Sequence, residues 1–232
     1  MDGFSRYLLR CDALTSTSYE LARPMFEKAF REYGLPDVIR TDNGSPFASR
    51  AAGGLSRLAA WWIKLGIRPE RIEPGKPQQN GRHERMHRTL KREAASPPQP
   101  SLVRQQRAFN EFRGTYNYER PHEALGQIPP ARVYVPSNRL LPRELEDPTY
   151  PQNYEPRRVQ HNGIIRWRGE RIFISACLAG ELVALYEFDY CQWRIYFGPV
   201  ALGVLDESRK PWRLIRPRGK RKELRVPPRS SV

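Results

Sequence analysis

The spacing of apolar residues changes once along this chain, and that change constrains the fold more than any other feature. Up to about residue 135, short apolar runs alternate with stretches of helical period, the pattern of an α/β domain. Residues 136–156 carry the prolines and charges of a linker. Beyond them only short runs remain, at 163–167, 170–174, 182–187, 193–197 and 200–205, each bounded by turn-formers. Five such strands suit a small closed β-barrel over 157–206, followed by a basic tail at 207–232.

Within the first part, residues 7–14 read as a strand with almost nothing ahead of it to form a neighbour. Thr17 and Glu20 have capping-box spacing, and Leu21, Met25, Phe26, Ala29, Phe30 and Tyr33 recur at helical intervals until Gly34, with Pro24 marking a kink or a later start. Residues 38–41 form a short buried strand ending in the turn sequence Asp42-Asn43-Gly44. A helix over 55–65, a strand over 67–72 and a turn-rich loop over 74–81 lead to a helix over 81–95. That helix has a narrow apolar stripe of Met86, Leu90 and Ala94. Glu84 lies away from the stripe, and His87, Arg88 and Lys91 share its side, so one carboxylate sits in a basic, outward row. A further helix spans 101–118, and a polar, proline-rich connector follows to residue 130.

Charge narrows the partners. The chain has 40 Lys and Arg against 25 Asp and Glu, a net charge of +15, and residues 207–232 hold ten basic side chains against two acidic ones. An excess of that size points to a polyanion. Arg and Lys of the tail, Lys220, Arg221 and Lys222 at its centre, are read as phosphate contacts. Three cysteines without CxxC spacing indicate a reduced compartment, and no run spans a bilayer, so the expectation is a soluble, cytoplasmic protein without membrane partners.

Two carboxylates occupy positions suited to chemistry. Asp42 stands where a strand gives way to a turn, and Glu84 stands near a helix start behind a flexible loop. A pair of hard oxygen ligands from distant chain positions suits Mg²⁺, or Mn²⁺, which keeps coordination sites for substrate phosphate. In two-metal phosphoryl transfer the ions lie about 3.5 to 4 Å apart. His83-Glu84-Arg85-Met86-His87 also spells HExxH, the zinc-peptidase signature, but its helix is crowded with Arg and Lys and no downstream third ligand stands out. In the last part, Trp167, Tyr186, Tyr190, Trp193 and Tyr196 suit either core packing, the favoured reading for most of them, or a base-stacking surface.

Five blocks together resemble the integrase catalytic core shared by insertion-sequence transposases and retroviral integrases. They are Asp2-Gly3-Phe4-Ser5-Arg6-Tyr7, Tyr33-Gly34-Leu35-Pro36, Thr41-Asp42-Asn43-Gly44, Asn80-Gly81-Arg82-His83-Glu84-Arg85 with His87-Arg88-Thr89-Leu90, and Tyr116-Asn117-Tyr118-Glu119-Arg120-Pro121-His122-Glu123-Ala124-Leu125-Gly126, covering about residues 1–135. The resemblance implies a ribonuclease H-like fold lacking its first strand, followed by an SH3-like barrel. It makes Asp42 and Glu84 the second and third catalytic, metal-binding carboxylates of a D,D,E set. It assigns DNA contact to Lys76, Arg82, Arg85, Arg88 and Lys91, and a structural closing role to Arg120-Pro121-His122. Element ends and target DNA would be the partners, with a homo-multimer as the working form.

The first catalytic aspartate of the family belongs on the absent strand, and its role carries over to neither Asp2 nor Asp12. Two readings therefore stand open: a Mg²⁺-dependent strand-transfer enzyme, and a DNA-binding remnant of one that does not cut.

Overall fold

The computed structural model describes residues 1–42, 44, 46, 47, 49, 51–73 and 81–216. In chain order its principal elements are α1 (Tyr19–Tyr33), β1 (Val38–Thr41), α2 (Arg57–Lys64), β2 (Arg68–Arg71), α3 (Gly81–Leu90), α4 (Leu102–Tyr118), β3 (Glu155–Arg158), β4 (Ile164–Trp167), β5 (Glu170–Phe173), β6 (Leu182–Asp189), β7 (Gln192–Phe197), β8 (Val200–Asp206) and β9 (Leu214–Ile215). They fall into two compact units, one of residues 1–46 with 67–142, the other of 47–66 with the chain from 143 onward. Among the described residues no helix is long and apolar enough to cross a membrane.

In the first unit, β1 and β2 pair in parallel, from Val38 opposite Arg68 to Thr41 opposite Arg71. Helix α1 is capped by Ser18, whose side chain accepts from the Leu21 N–H, rather than by the expected Thr17. Ser18 has the extended backbone that aims its hydroxyl at the first turn. The helix ends at Gly34, whose φ of +76° and near-contact with the Ser137 carbonyl exclude a side chain: a Cβ there would lie 2.2 Å from that oxygen.

Helix α3 runs into a π-helical turn over Lys91–Ala95. Its buried stripe is the expected one: Met86, Leu90 and Ala94 pack with Leu8 and with Phe112 and Tyr116 of α4. Arg120 pairs with Glu93 and lies over the Phe112 and Tyr116 rings at 5.9 and 5.8 Å, tying the end of α4 to the π turn. His122 meets the Tyr116 ring edge-on at 4.8 Å.

Residues 7–14 do not form the expected strand. The segment pairs with no strand among the described residues. Helix α4 supplies side chains instead. Asn117 accepts from the Leu8 N–H at 2.8 Å and donates to the Leu8 carbonyl at 3.1 Å. Arg113 donates to the Leu9 carbonyl at 2.9 Å, and Gln106 accepts from the Ala13 N–H at 2.8 Å while donating to the Cys11 carbonyl at 3.0 Å. Asn117 and Leu8 are 1% and 2% exposed, so truncating the amide orphans two buried backbone groups. Asn117→Ala should lower unfolding free energy by about 2 to 3 kcal/mol and speed amide exchange at Leu8. Urea unfolding with exchange mass spectrometry reads both, and wild-type protection at Leu8 in the variant would refute the role.

In the second unit, β3-β6-β7-β8-β9 form a five-stranded antiparallel sheet, and β4-β5 form a separate hairpin with Ile165 opposite Ile172. The two share one core, built from Ile165, Trp167, Ile172, Val183, Leu185, Ile195, Phe197, Leu202 and Leu205, and joined by Ala59, Ala60 and Ile63 of α2. Helix α2 is apolar all round, with Leu58 through Ile63 buried, and its start is capped by the Ser56 hydroxyl accepting from Ala59 N–H at 3.2 Å. Strands β3 and β9 are additions to the expected set. Tyr150 holds the approach to β3, donating to the Leu182 carbonyl at 2.9 Å and accepting from the Gly198 N–H at 3.0 Å. Trp167, Trp193 and Tyr196 lie in the core, Tyr186 stacks on Tyr154 at 5.0 Å, and Tyr190 is 89% exposed.

Candidate functional site

Strand β1 delivers Asp42 directly after Thr41, and the side chain closes a turn at once: its Oδ1 accepts the Gly44 N–H at 2.9 Å. Gly44 leaves room for that carboxylate, since a Cβ there would lie 3.2 Å from Oδ1. Glu84 stands in the first turn of α3, where a negative charge is favoured by the helix dipole. Both side chains are exposed.

His83, next to Glu84 on α3, has a shifted pKa. Burial lowers its pKa, the neighbouring His87 and the chain's amino terminus act in the same direction, and Asp42 and Glu84 both oppose the shift. The His83 and His87 rings stack with centroids 5.0 Å apart, as their spacing of four on one helix allows. Among the described residues no group of three His, Cys, Asp or Glu is arranged to hold a metal ion.

The two other acids near the N-terminal segment are engaged elsewhere. Asp2 Oδ2 accepts from the N–H of Phe4 and Ser5 and from the Ser5 hydroxyl, at 3.1, 2.6 and 2.6 Å. Asp12 takes both arms of Arg10, at 2.9 and 2.5 Å.

Arg82, Arg85, Arg88 and Lys91 are exposed around Glu84. Lys76, Lys220, Arg221 and Lys222, assigned to DNA contact from the sequence, lie outside the described residues. The structure adds two residues to which no role was assigned. Arg6 shares the Gly3 carbonyl with Arg82, at 2.6 and 3.0 Å, and Phe4 stands exposed beside them. Both fall in the Asp2–Tyr7 block of the resemblance, which gives neither a role; the association depends on α3 lying beside the N-terminal turn.

Comparison with known proteins places these residues in a family. Two family models, both described as integrase core domain, match residues 1–77 and 65–130. An uncharacterized 39.2 kDa protein of insertion element IS476 from Xanthomonas euvesicatoria is 37% identical over 100 residues, covering 43% of this chain and 27% of that protein. The Gag-Pol polyprotein of baboon endogenous virus (strain M7) is 35% identical over 91 residues, covering 39% of this chain and 5% of the polyprotein. A cryoEM structure of a simian T-cell lymphotropic virus intasome in complex with PP2A regulatory subunit B56 gamma aligns with TM-score 0.40 and 19% identity, over 79% of this chain and 63% of that one. The chain thus spans only about a quarter of the IS476 relative. Through residues 1–130, this chain belongs to the integrase core domain family.

Proposed function

We propose that this chain is the catalytic and DNA-contacting part of a D,D,E-type transposase or integrase, acting on element ends and target DNA in DNA integration. What supports the reading is the integrase core match over residues 1–130, together with Asp42 directly after β1 and Glu84 in the first turn of a helix whose outer side is basic.

Two exposed carboxylates fit Mg²⁺ or Mn²⁺, which take one or two protein carboxylates and complete their shell with water and phosphate oxygens. Asp42 and Glu84 would hold the ion, and when bound it supplies Lewis-acid polarisation of the scissile phosphate and a more acidic attacking hydroxyl. The chain's own residues do the rest. Arg82, Arg85, Arg88 and Lys91 neutralise backbone phosphates. A ribonuclease H-like arrangement of the first unit, an SH3-like barrel from the sheet and hairpin of the second, and a homo-multimer on paired DNA ends belong to the same reading.

The test is Mg²⁺- or Mn²⁺-dependent nicking of labelled element-end DNA by the full chain; absence of divalent-dependent product removes catalysis. The second reading, a remnant that binds DNA without cutting, is favoured by the engagement of Asp2 and Asp12 in local bonds.

Phosphate contact carries its own signature. Duplex affinity should fall steeply from low to physiological salt, and Arg88→Ala should reduce the log–log slope by about 0.9, one phosphate's share. Anisotropy titrations across a salt series measure it, and an unchanged slope takes Arg88 out of the interface.

A further inference from the structure

Beside the N-terminal turn of the first unit lies an open pocket of about 350 Å³, lined by Gly3, Phe4, Arg6, Arg82, Leu125 and Val133, among others. Its polar side is a pair of guanidinium groups from distant parts of the chain, both donating to the Gly3 carbonyl. Each has further N–H donors, and among the described residues neither has an acidic partner. Asp2, the nearest acid in sequence, has turned its Oδ2 onto its own turn. Arg6 holds its place in a left-handed backbone conformation, φ +66°, that is costly for a residue with a side chain. Burial lowers its pKa, the positive charges of Arg82 and Arg85 add to that effect, and Tyr116 and Asp2 oppose it. A pair of cations of this kind beside a cavity, with no acid in ion-pair contact among the described residues, suits an anion.

The opposite side is apolar. Leu125 and Val133 are half-buried in the lining, and Phe4 holds a ring that is 78% exposed at its rim. An exposed aromatic ring beside paired guanidinium groups matches one nucleotide unit, with the base face on the ring and the phosphate on the cations. Bases inside a duplex have both faces covered by their neighbours, so an unpaired nucleotide suits such a ring better than a paired one.

We propose that this pocket holds one unpaired nucleotide of a DNA strand end, with Arg6 and Arg82 on its phosphate and Phe4 stacked on its base. The proposal rests on the DNA-handling reading above and adds a preference to it: frayed or extended ends bind better than blunt ones.

The experiment compares the full chain's affinity for a fluorescein-labelled blunt duplex and for the same duplex with a short single-stranded extension. Wild-type protein should favour the extended duplex by about tenfold, the order expected for one stacked base. Phe4→Ala and Phe4→Leu should abolish that preference and leave blunt-duplex affinity unchanged, whereas Phe4→Tyr should keep it. Arg6→Gln should weaken binding of the extended duplex more than of the blunt one. Phe4 is exposed, so these variants should keep the wild-type unfolding midpoint. Equal affinity of wild type for both duplexes, or a preference surviving in Phe4→Ala, overturns the pocket assignment and leaves duplex binding intact. Failure of wild type to bind either DNA overturns the broader reading together with it.

Discussion

Glu84→Gln is expected to cut Mg²⁺-dependent nicking of element-end DNA by about a thousandfold while leaving duplex affinity within about twofold. The substitution keeps shape and removes only charge. Among the described residues Glu84 makes no hydrogen bond or ion pair, and its side chain is exposed, so the fold does not depend on it. Loss of the first-turn charge costs α3 a few tenths of a kcal/mol. A metal ligand, in contrast, supports several kcal/mol of transition-state stabilisation, and about 4 kcal/mol corresponds to a thousandfold in rate. Gel analysis of end-labelled duplex, with wild type and variant at matched folded concentration, gives the comparison. Equal product from both proteins would mean that the cutting comes from elsewhere, and the remnant reading would stand.

Trp167→Ala should have the largest effect on stability, about 4 kcal/mol. The indole is fully buried in the second unit and meets Trp193 edge-to-face at 4.7 Å. Its N–H donates to Glu207, whose other carboxylate oxygen accepts from Arg168 at 2.8 Å. Arg157 and Arg168 lie over its ring at 4.9 and 5.6 Å. Truncation opens a cavity and takes the indole donor away from a carboxylate that is only 4% exposed. Chemical denaturation followed by near-ultraviolet circular dichroism measures the loss. The variant, where folded, should bind duplex DNA as wild type does. Weakened DNA binding at unchanged stability would turn Trp167 from a core residue into a base-stacking one.

Local signals were readable in the sequence wherever a few neighbouring residues decide the outcome. Val38–Thr41 forms the expected strand, although it is half-buried to exposed rather than buried, and the Met86, Leu90 and Ala94 stripe faces inward because helical period alone places those three together. The same geometry turns Glu84 and its basic neighbours outward. Readings failed where the deciding partner is remote. Residues 7–14 have β-forming side chains, yet a strand is made by a second strand, and here the partners are α4 side chains. The segment 47–66 looks like one more helical layer of the α/β part, but its apolar surface goes to the core of β4 to β8. β3 escaped notice because Pro156 and three charged residues carry no strand pattern; its pairing with β6 supplies the order. The convergence of Arg6 and Arg82 on Gly3 belongs to the same class, since only the packed structure brings the two together.

The seam between residues 8–13 and α4 has a consequence for how this chain tolerates length changes. Gln106, Arg113 and Asn117 reach the segment because separations of seven and four keep them on one side of the helix. A single residue inserted or deleted between Gln106 and Asn117 would swing part of that trio about 100° around the axis, unzipping the N-terminal stretch from its hydrogen-bonding partners on α4. Point substitutions elsewhere on α4's outer surface leave the registration untouched, so this helix should accept changes of composition far more readily than changes of length.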